Sequence, residues 1–194
     1  MKNNGMVLCV ATPDYVEKWG FCIDGQKKYA QKYDYNHLLI DASQFSLSPN
    51  WVKFEASIPF LEQGHNILLV DADAEITESC PPFSDLLDEF TDRDIFFSRT
   101  GSGRITSGVL ILRGGVGSIA IEFIRECLAQ RKNHKLLRHG NVSKEKNGYV
   151  VVHVFPRFLY KSREIDRSWN YAVPRNTNSA FIRHYLIDDK SKVR

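Results

Sequence analysis

An α/β fold, with a mostly parallel sheet covered by helices on both faces, is predicted for this chain by three observations. Short apolar runs of strand length recur along it, at residues 6–10, 37–40, 67–70, 95–98 and 109–112. Segments with apolar residues at helical spacing separate most of them, the alternation that builds a parallel sheet between helical layers. One run, Ile67, Leu68, Leu69 and Val70, stops abruptly at two acids, Asp71 and Asp73. Open sheets of this class bind ligands at the carboxyl ends of their strands.

The elements follow in order. Residues 6–10 form a buried strand that enters a turn at Ala11, Thr12, Pro13 and Asp14, where a ligand could sit. Asp24 is placed to cap a helix through Lys27, Tyr29, Ala30 and Tyr33, and the strand at 37–40 then stops at Asp41. Ser48 and Pro49 make a cap followed by a first-turn proline, before Trp51, Phe54, Ile58 and Leu61 at helical spacing. Pro59 is expected to kink or end that helix. After the strand at 67–70, Pro81 and Pro82 open a helix through Leu86, Leu87 and Phe90. The strands at 95–98 and 109–112 precede the clearest helix, residues 119–130. Residues 132–147 read as a polar connection, and the β-branched and aromatic run at 149–155 reads as core, as do Trp51 and Trp169.

Composition sets limits on function. A length of 194 residues suits a single domain over residues 1–194, and 43% apolar with 25% charged residues disfavours disorder and coiled coil. A net charge of +3 is too small to imply a nucleic-acid partner, so a local anion site is the better inference. Cys9, Cys22, Cys80 and Cys127 are widely spaced without a CxxC pair, which points to reduced thiols and a cytoplasmic setting. No run approaches the length of a membrane span, and the apolar stretch of MKNNGMVLCV is too short for a signal peptide.

Asp71 and Asp73 carry the chemistry. Carboxylates one residue apart where the chain leaves a pleat can both reach one hard cation through oxygen, and such a cation typically carries a phosphate. The chain contains its own control in Asp92 and Asp94, which flank Arg93 ahead of the apolar Ile95. That second triplet begins a strand instead of ending one, and it reads as solvated turn chemistry neutralised by Arg93.

The order of motifs carries a resemblance. A strand ending in Thr-Pro, the helix KKYAQKY, a Trp-x-Lys helix, ILLVDADAEI, ITSGVLILR and a late aromatic-flanked histidine resemble a GT-A (Rossmann-like) nucleotide-sugar glycosyltransferase. The likeness is nearest to small metal-dependent retaining galactosyl- and mannosyltransferases, and looser to the glycogenin-like group. It spans residues 6–184, and such domains also occur within larger proteins of big algal viruses, so excision from a longer chain is one expectation. The resemblance implies Mn²⁺ or Mg²⁺ bound by Asp71, Asp73 and His184, with a UDP-sugar as donor and a glycan or glycoprotein as acceptor. It places the donor nucleotide against Ala11, Thr12, Pro13, Tyr15 and Asp41, with Ala72 between the two acids. Lys53 matches a basic residue that approaches the donor, Ser107 and Gly108 lie near the sugar, and Lys190 is a candidate for the diphosphate. For a catalytic base or nucleophile it makes no choice among His139, Asn141, Glu145 and His153. Asn170 could face the acceptor or serve a turn.

Bland readings stand beside these: Lys53 as a solvated helix residue, His184 as a surface histidine, Thr12 and Pro13 as a turn, and Asp41 as a cap. A phosphatase of the haloacid-dehalogenase type would use Asp71 as nucleophile. That motif normally sits near the start of its fold and continues to Thr or Val where this chain has Glu75. A non-catalytic nucleotide- or glycan-binding module is the third reading.

Overall fold

The computed structural model describes residues 4–99, 103–133, 148–172 and 179–185. The strands are β1 (Gly5–Ala11), β2 (Asn36–Asp41), β3 (Asn66–Val70), β4 (Ala74–Ile76), β5 (Ile95–Arg99), β6 (Ile105–Leu112), β7 (Ser162–Glu164), β8 (Tyr171–Ala172) and β9 (Ile182–His184). The helices are α1 (Pro13–Lys18), α2 (Gly20–Lys32), α3 (Pro49–Glu62), α4 (Ser84–Glu89), α5 (Ile119–Gln130) and α6 (Gly148–Val154).

Six strands form the central sheet in the order β2-β1-β3-β6-β5-β7. The pairs β1·β2, β1·β3 and β5·β7 are parallel, whereas β6 runs antiparallel to both β3 and β5. Five strands therefore point one way and β6 alone is reversed, which meets the expectation of a mostly parallel sheet. The two-residue period of the strands divides the core between two faces. Met6, Leu8, Ile67 and Leu69 pack with Trp51 and Phe54 of α3 and Phe123 of α5 on one face. Val7, Cys9, Leu68 and Val70 pack with Ile23, Tyr29 and Ala30 of α2 on the other.

Local signals placed some element ends differently. Thr12 is the N-cap of α1 with Pro13 at its first turn, and α2 begins at Gly20, so Asp24 lies inside the helix instead of capping it. Helix α3 continues through Pro59 to Glu62. The ring removes one hydrogen bond, to the Glu55 carbonyl, and both residues are exposed, so solvent satisfies that carbonyl. The helix expected from Pro81 starts at Ser84. Trp51, Phe155 and Trp169 are buried, and the run at 149–155 is helical, because packing overrides β-propensity. No described helix is long and apolar enough to cross a membrane.

The second triplet is corrected. Asp94 is buried, its carboxylate accepts the Ile119 N–H at 3.0 Å and lies 3.6 Å from the Arg113 guanidinium. It ties the start of α5 to the start of β5, while Asp92 alone stays exposed beside Arg93, at 3.4 Å.

A second, three-stranded sheet, β4-β9-β8, crosses the carboxyl end of the first. Its antiparallel β4·β9 pair sets Ala74 opposite His184 and Ile76 opposite Ile182. This pairing brings a residue 111 positions downstream beside Asp73.

Candidate metal and nucleotide site

Three parallel strands end together. The register pairs Ala11 with Asp41, and β1 with β3 through Leu8 and Leu69. Asp41, the Ala11–Tyr15 turn and the Asp71–Ala74 turn therefore share one edge of the sheet. Asp41 lies at the end of β2, where its carboxylate accepts the Ser43 N–H at 2.9 Å and caps a short 3₁₀ turn. The Thr12 hydroxyl bonds to Asp14 and holds that exposed carboxyl below its usual pKa. Tyr15 is half-buried; burial raises its phenol pKa and the Asp73 charge adds to the effect.

The Asp71–Ala74 turn is anchored on several sides. The Asp71 N–H donates to the Gly108 carbonyl at 2.9 Å, extending the β3·β6 ladder by one rung, and the Ala74 N–H donates to the Asp71 carbonyl at 3.1 Å. Ala72 is buried, so the two acids project to one side of the turn. Lys53 is buried as well, and its ammonium donates to Asp71 Oδ1 at 2.5 Å and to the Ser107 carbonyl at 2.7 Å. It is neither solvated nor a loose arm: α3 delivers a fixed positive charge that occupies one oxygen of Asp71. Oδ2 remains directed toward His184.

His184 closes the corner. Its Nε2 lies 3.2 Å from Asp73 Oδ1 and 3.9 Å from Asp71 Oδ2, and its Nδ1 lies 3.1 Å from Asn170 Oδ1. With Asn170 presenting an acceptor, the ring donates from Nδ1 and turns Nε2 toward the carboxylates. Burial alone would lower the imidazole pKa, but the Asp73 hydrogen bond and the charges of Asp71 and Asp73 outweigh it, so the pKa is raised. A proton on Nε2 and a divalent cation are two ways of meeting the same negative field.

Ligand atoms of Asp71, Asp73 and His184 all lie within 4.8 Å of one another. Two carboxylates and one imidazole form a donor set suited to Mn²⁺ or Mg²⁺, and the single nitrogen favours Mn²⁺ modestly. Gly108 makes the approach possible: a Cβ there would stand 2.2 Å from His184 Cε1 and 3.2 Å from Asp71 Oδ2. The residues present thus fit the cation the sequence implies.

Lys53, Ser107 and Gly108 bond to or crowd the acid pair and Ala72 lies between the acids, while Ala11, Thr12, Pro13, Tyr15 and Asp41 lie at the ends of the neighbouring strands. Lys190, His139, Asn141 and Glu145 lie outside the described residues, and His153 is exposed on α6. Gln26, unnamed by the sequence reading, and Asn170, read there as facing the acceptor or serving a turn, also take part. Asn170 is buried and orients His184. Gln26 of α2 donates from one amide to the carbonyls of Asp71, at 3.0 Å, and Ala74, at 2.9 Å. A polar residue inside the buried stripe Cys22, Ile23, Tyr29 and Ala30 was the available signal for Gln26.

No protein-family model matches the chain. No curated protein matches it by sequence. Solved structures do match. A glycosyltransferase involved in the glycosylation of the major capsid of PBCV-1 superposes with a TM-score of 0.70 at 15% identity, covering 93% of this chain and 92% of that one. Mouse xyloside xylosyltransferase 1 matches with a TM-score of 0.59 at 11% identity, over 94% of this chain and 98% of that one. The galactosyltransferase LgtC, solved with donor and acceptor sugar analogues, matches with a TM-score of 0.56 at 9% identity, over 93% and 86%. The chain thus has the α/β fold of these glycosyltransferases, in agreement with the fold the motif order implies.

Proposed function

We propose that this chain is a glycosyltransferase that moves a hexose from a nucleotide sugar, UDP-linked, to a hydroxyl of a glycan or glycoprotein acceptor. One observation carries the reading: the carboxylates of Asp71 and Asp73 and the His184 imidazole converge within 4.8 Å at the carboxyl end of β3. The fold shared with transferases supports it.

Asp71, Asp73 and His184 would hold a divalent cation, Mn²⁺ or Mg²⁺, which supplies Lewis-acid stabilisation to a departing nucleoside diphosphate. The chain's own residues prepare that corner. Lys53 offsets one of the two carboxylate charges, leaving a local charge suited to a divalent ion. Asn170 keeps the Nε2 lone pair available, and Gly108 leaves room for the ring. Ala11, Thr12, Pro13, Tyr15 and Asp41 line the same edge and form the nucleotide side of the site, with the Tyr15 ring as a stacking surface for the base. Ser107 and Gly108 lie on the sugar side. Residues 1–194 act as one transferase domain in this reading.

A phosphatase using Asp71 as nucleophile has less support, because the acids follow the third strand of the chain and His184 completes a metal donor set. Calorimetric titration with UDP, with and without Mn²⁺, followed by a screen of nucleotide sugars for Mn²⁺-dependent hydrolysis, tests the proposal. Metal-dependent UDP binding with turnover of one donor is expected. Binding without turnover of any donor would favour a non-catalytic module, and indifference to uridine would overturn the reading.

A further inference from the structure

Helix α2 meets the chain after the acid pair in an unusual way. Segment 71–83 has only three residues in a strand, so many of its carbonyls lack ladder partners. Side chains from α2 and its C-cap residue Tyr33 supply donors instead. The Gln26 amide reaches the Asp71 and Ala74 carbonyls, Lys32 reaches Glu78, Tyr33 reaches Cys80, and the Tyr29 hydroxyl donates to Pro81 while accepting the Phe83 N–H. Residues 26, 29 and 33 are spaced at helical intervals and share one face. Close approach is allowed by Gly25, where a Cβ would stand 3.0 Å from the Ile76 carbonyl oxygen.

Within this row Gln26 is distinct. It is fully buried, and its amide bridges both ends of the turn that carries the two acids, across sequence separations of 45 and 48 residues. The carbonyls it holds belong to Asp71 itself and to Ala74, the residue that follows Asp73 and pairs with His184. Fixing these two points fixes the directions in which both carboxylates leave the backbone, and Ala74 also sets the start of the β4·β9 register that delivers His184. Tyr29, Lys32 and Tyr33 act beyond Thr77, on backbone that carries no candidate ligand.

We infer that Gln26 is a positioning residue of the metal site, aiming Asp71 and Asp73 from a helix that contributes no ligand. The inference rests on the cation site of the proposed function. An outer-sphere group that orients metal ligands typically contributes roughly 10- to 100-fold to metal affinity. The scale expected for Gln26 is the same.

The test compares wild-type protein with Gln26→Leu, Gln26→Glu and Tyr33→Phe. Tyr33→Phe removes one α2-to-backbone bond of the same kind, at Cys80. Mn²⁺ affinity by calorimetry, amide hydrogen exchange at Ala74 and far-UV circular dichroism are measured on each. Both Gln26 variants are expected to bind Mn²⁺ roughly 10- to 100-fold more weakly and to exchange the Ala74 amide faster. Tyr33→Phe is expected to lose stability while keeping wild-type Mn²⁺ affinity. Unchanged affinity in folded Gln26→Leu, an equal loss in Tyr33→Phe, or global unfolding of both Gln26 variants would overturn the inference. The two proposals separate on exchange: a wild-type protein that binds no Mn²⁺ sinks the cation reading, while faster Ala74 exchange in the Gln26 variants keeps the clamp on the turn.

Discussion

His184 Nδ1 stands 3.1 Å from Asn170 Oδ1, a contact between two short elements of the second sheet region that decides which ring nitrogen faces Asp71 and Asp73. Replacing Asn170 with Leu keeps much of its volume and removes the acceptor. The expected result is a roughly 10-fold weaker Mn²⁺ affinity in a protein that still unfolds cooperatively. Wild-type affinity in Asn170→Leu would show that packing alone orients the ring.

Gly108 tests the space the ring occupies. In Gly108→Ala the new methyl would fall 2.2 Å from His184 Cε1 and 2.7 Å from Nδ1, so the imidazole must move away from the acids. Metal-dependent UDP binding is expected to fall sharply in this variant with its circular dichroism spectrum unchanged. Retention of that binding would place His184 outside the ligand set.

The two acid triplets separate by role. Asp73→Ala is expected to abolish metal-dependent donor turnover, while Asp92→Ala, at an exposed turn, leaves both turnover and stability near wild type. Asp94→Ala belongs to neither class. It strands the Ile119 N–H and removes the ion pair of Arg113, whose guanidinium keeps the carbonyls of Leu87, Phe90 and Arg93, and a loss of about 2 kcal/mol in denaturant unfolding is expected. Sequence reading took Asp94 as a neutral control; a stability loss without loss of donor specificity would confirm its structural role.

Lys53→Met removes the ammonium from Asp71 Oδ1 and leaves His184, 3.9 Å from Oδ2, as its remaining partner. A cost of about 2 kcal/mol is expected, below that of a fully buried pair because a quarter of the Asp71 side chain is exposed, at 26%. Mn²⁺ neutralises the same carboxylates, so its addition should raise the melting temperature more in Lys53→Met than in wild type. A smaller metal response in the variant would mean that Lys53 does more than balance charge.

The thiols set an alkaline limit. Burial pushes Cys80 up to about 12 and holds Cys9, Cys22 and Cys127 higher still, against an ordinary value of 9.0. Above about pH 9 the unfolded chain releases these protons while the native protein keeps them, so stability falls as pH rises through that window, by up to about 1.4 kcal/mol per pH unit for each thiol. Denaturant unfolding between pH 8 and 11 should show a shallower decline in Cys22→Ala than in wild type. An identical decline would exclude Cys22 as a contributor.

Strand and helix periodicity were legible because they record burial, and Ile67, Leu68, Leu69 and Val70 divide between two helical layers as a two-sided strand must. Less legible were α1, the short strands β4, β7, β8 and β9, and the continuation of α3 through Pro59, since segments of a few residues carry too little pattern to outweigh tertiary contacts. Gln26 escaped sequence reading, and Asn170 was legible only as an acceptor-facing or turn residue, for a related reason: the groups they hold are 14 to 48 residues away along the chain.

From residue order alone came the sheet class and the two acids at a strand end, while the late histidine as their partner was implied by the resemblance of the motif order. Tertiary structure decided whether these groups meet. The β4·β9 register set His184 against Asp73, α3 buried an ammonium on one oxygen of Asp71, and the absence of a side chain at Gly108 left the gap between them. Hydrophobic periodicity is a local property and survives in the sequence. Convergence of charges depends on long-range register and on a few ångströms of free space, which only the folded chain defines.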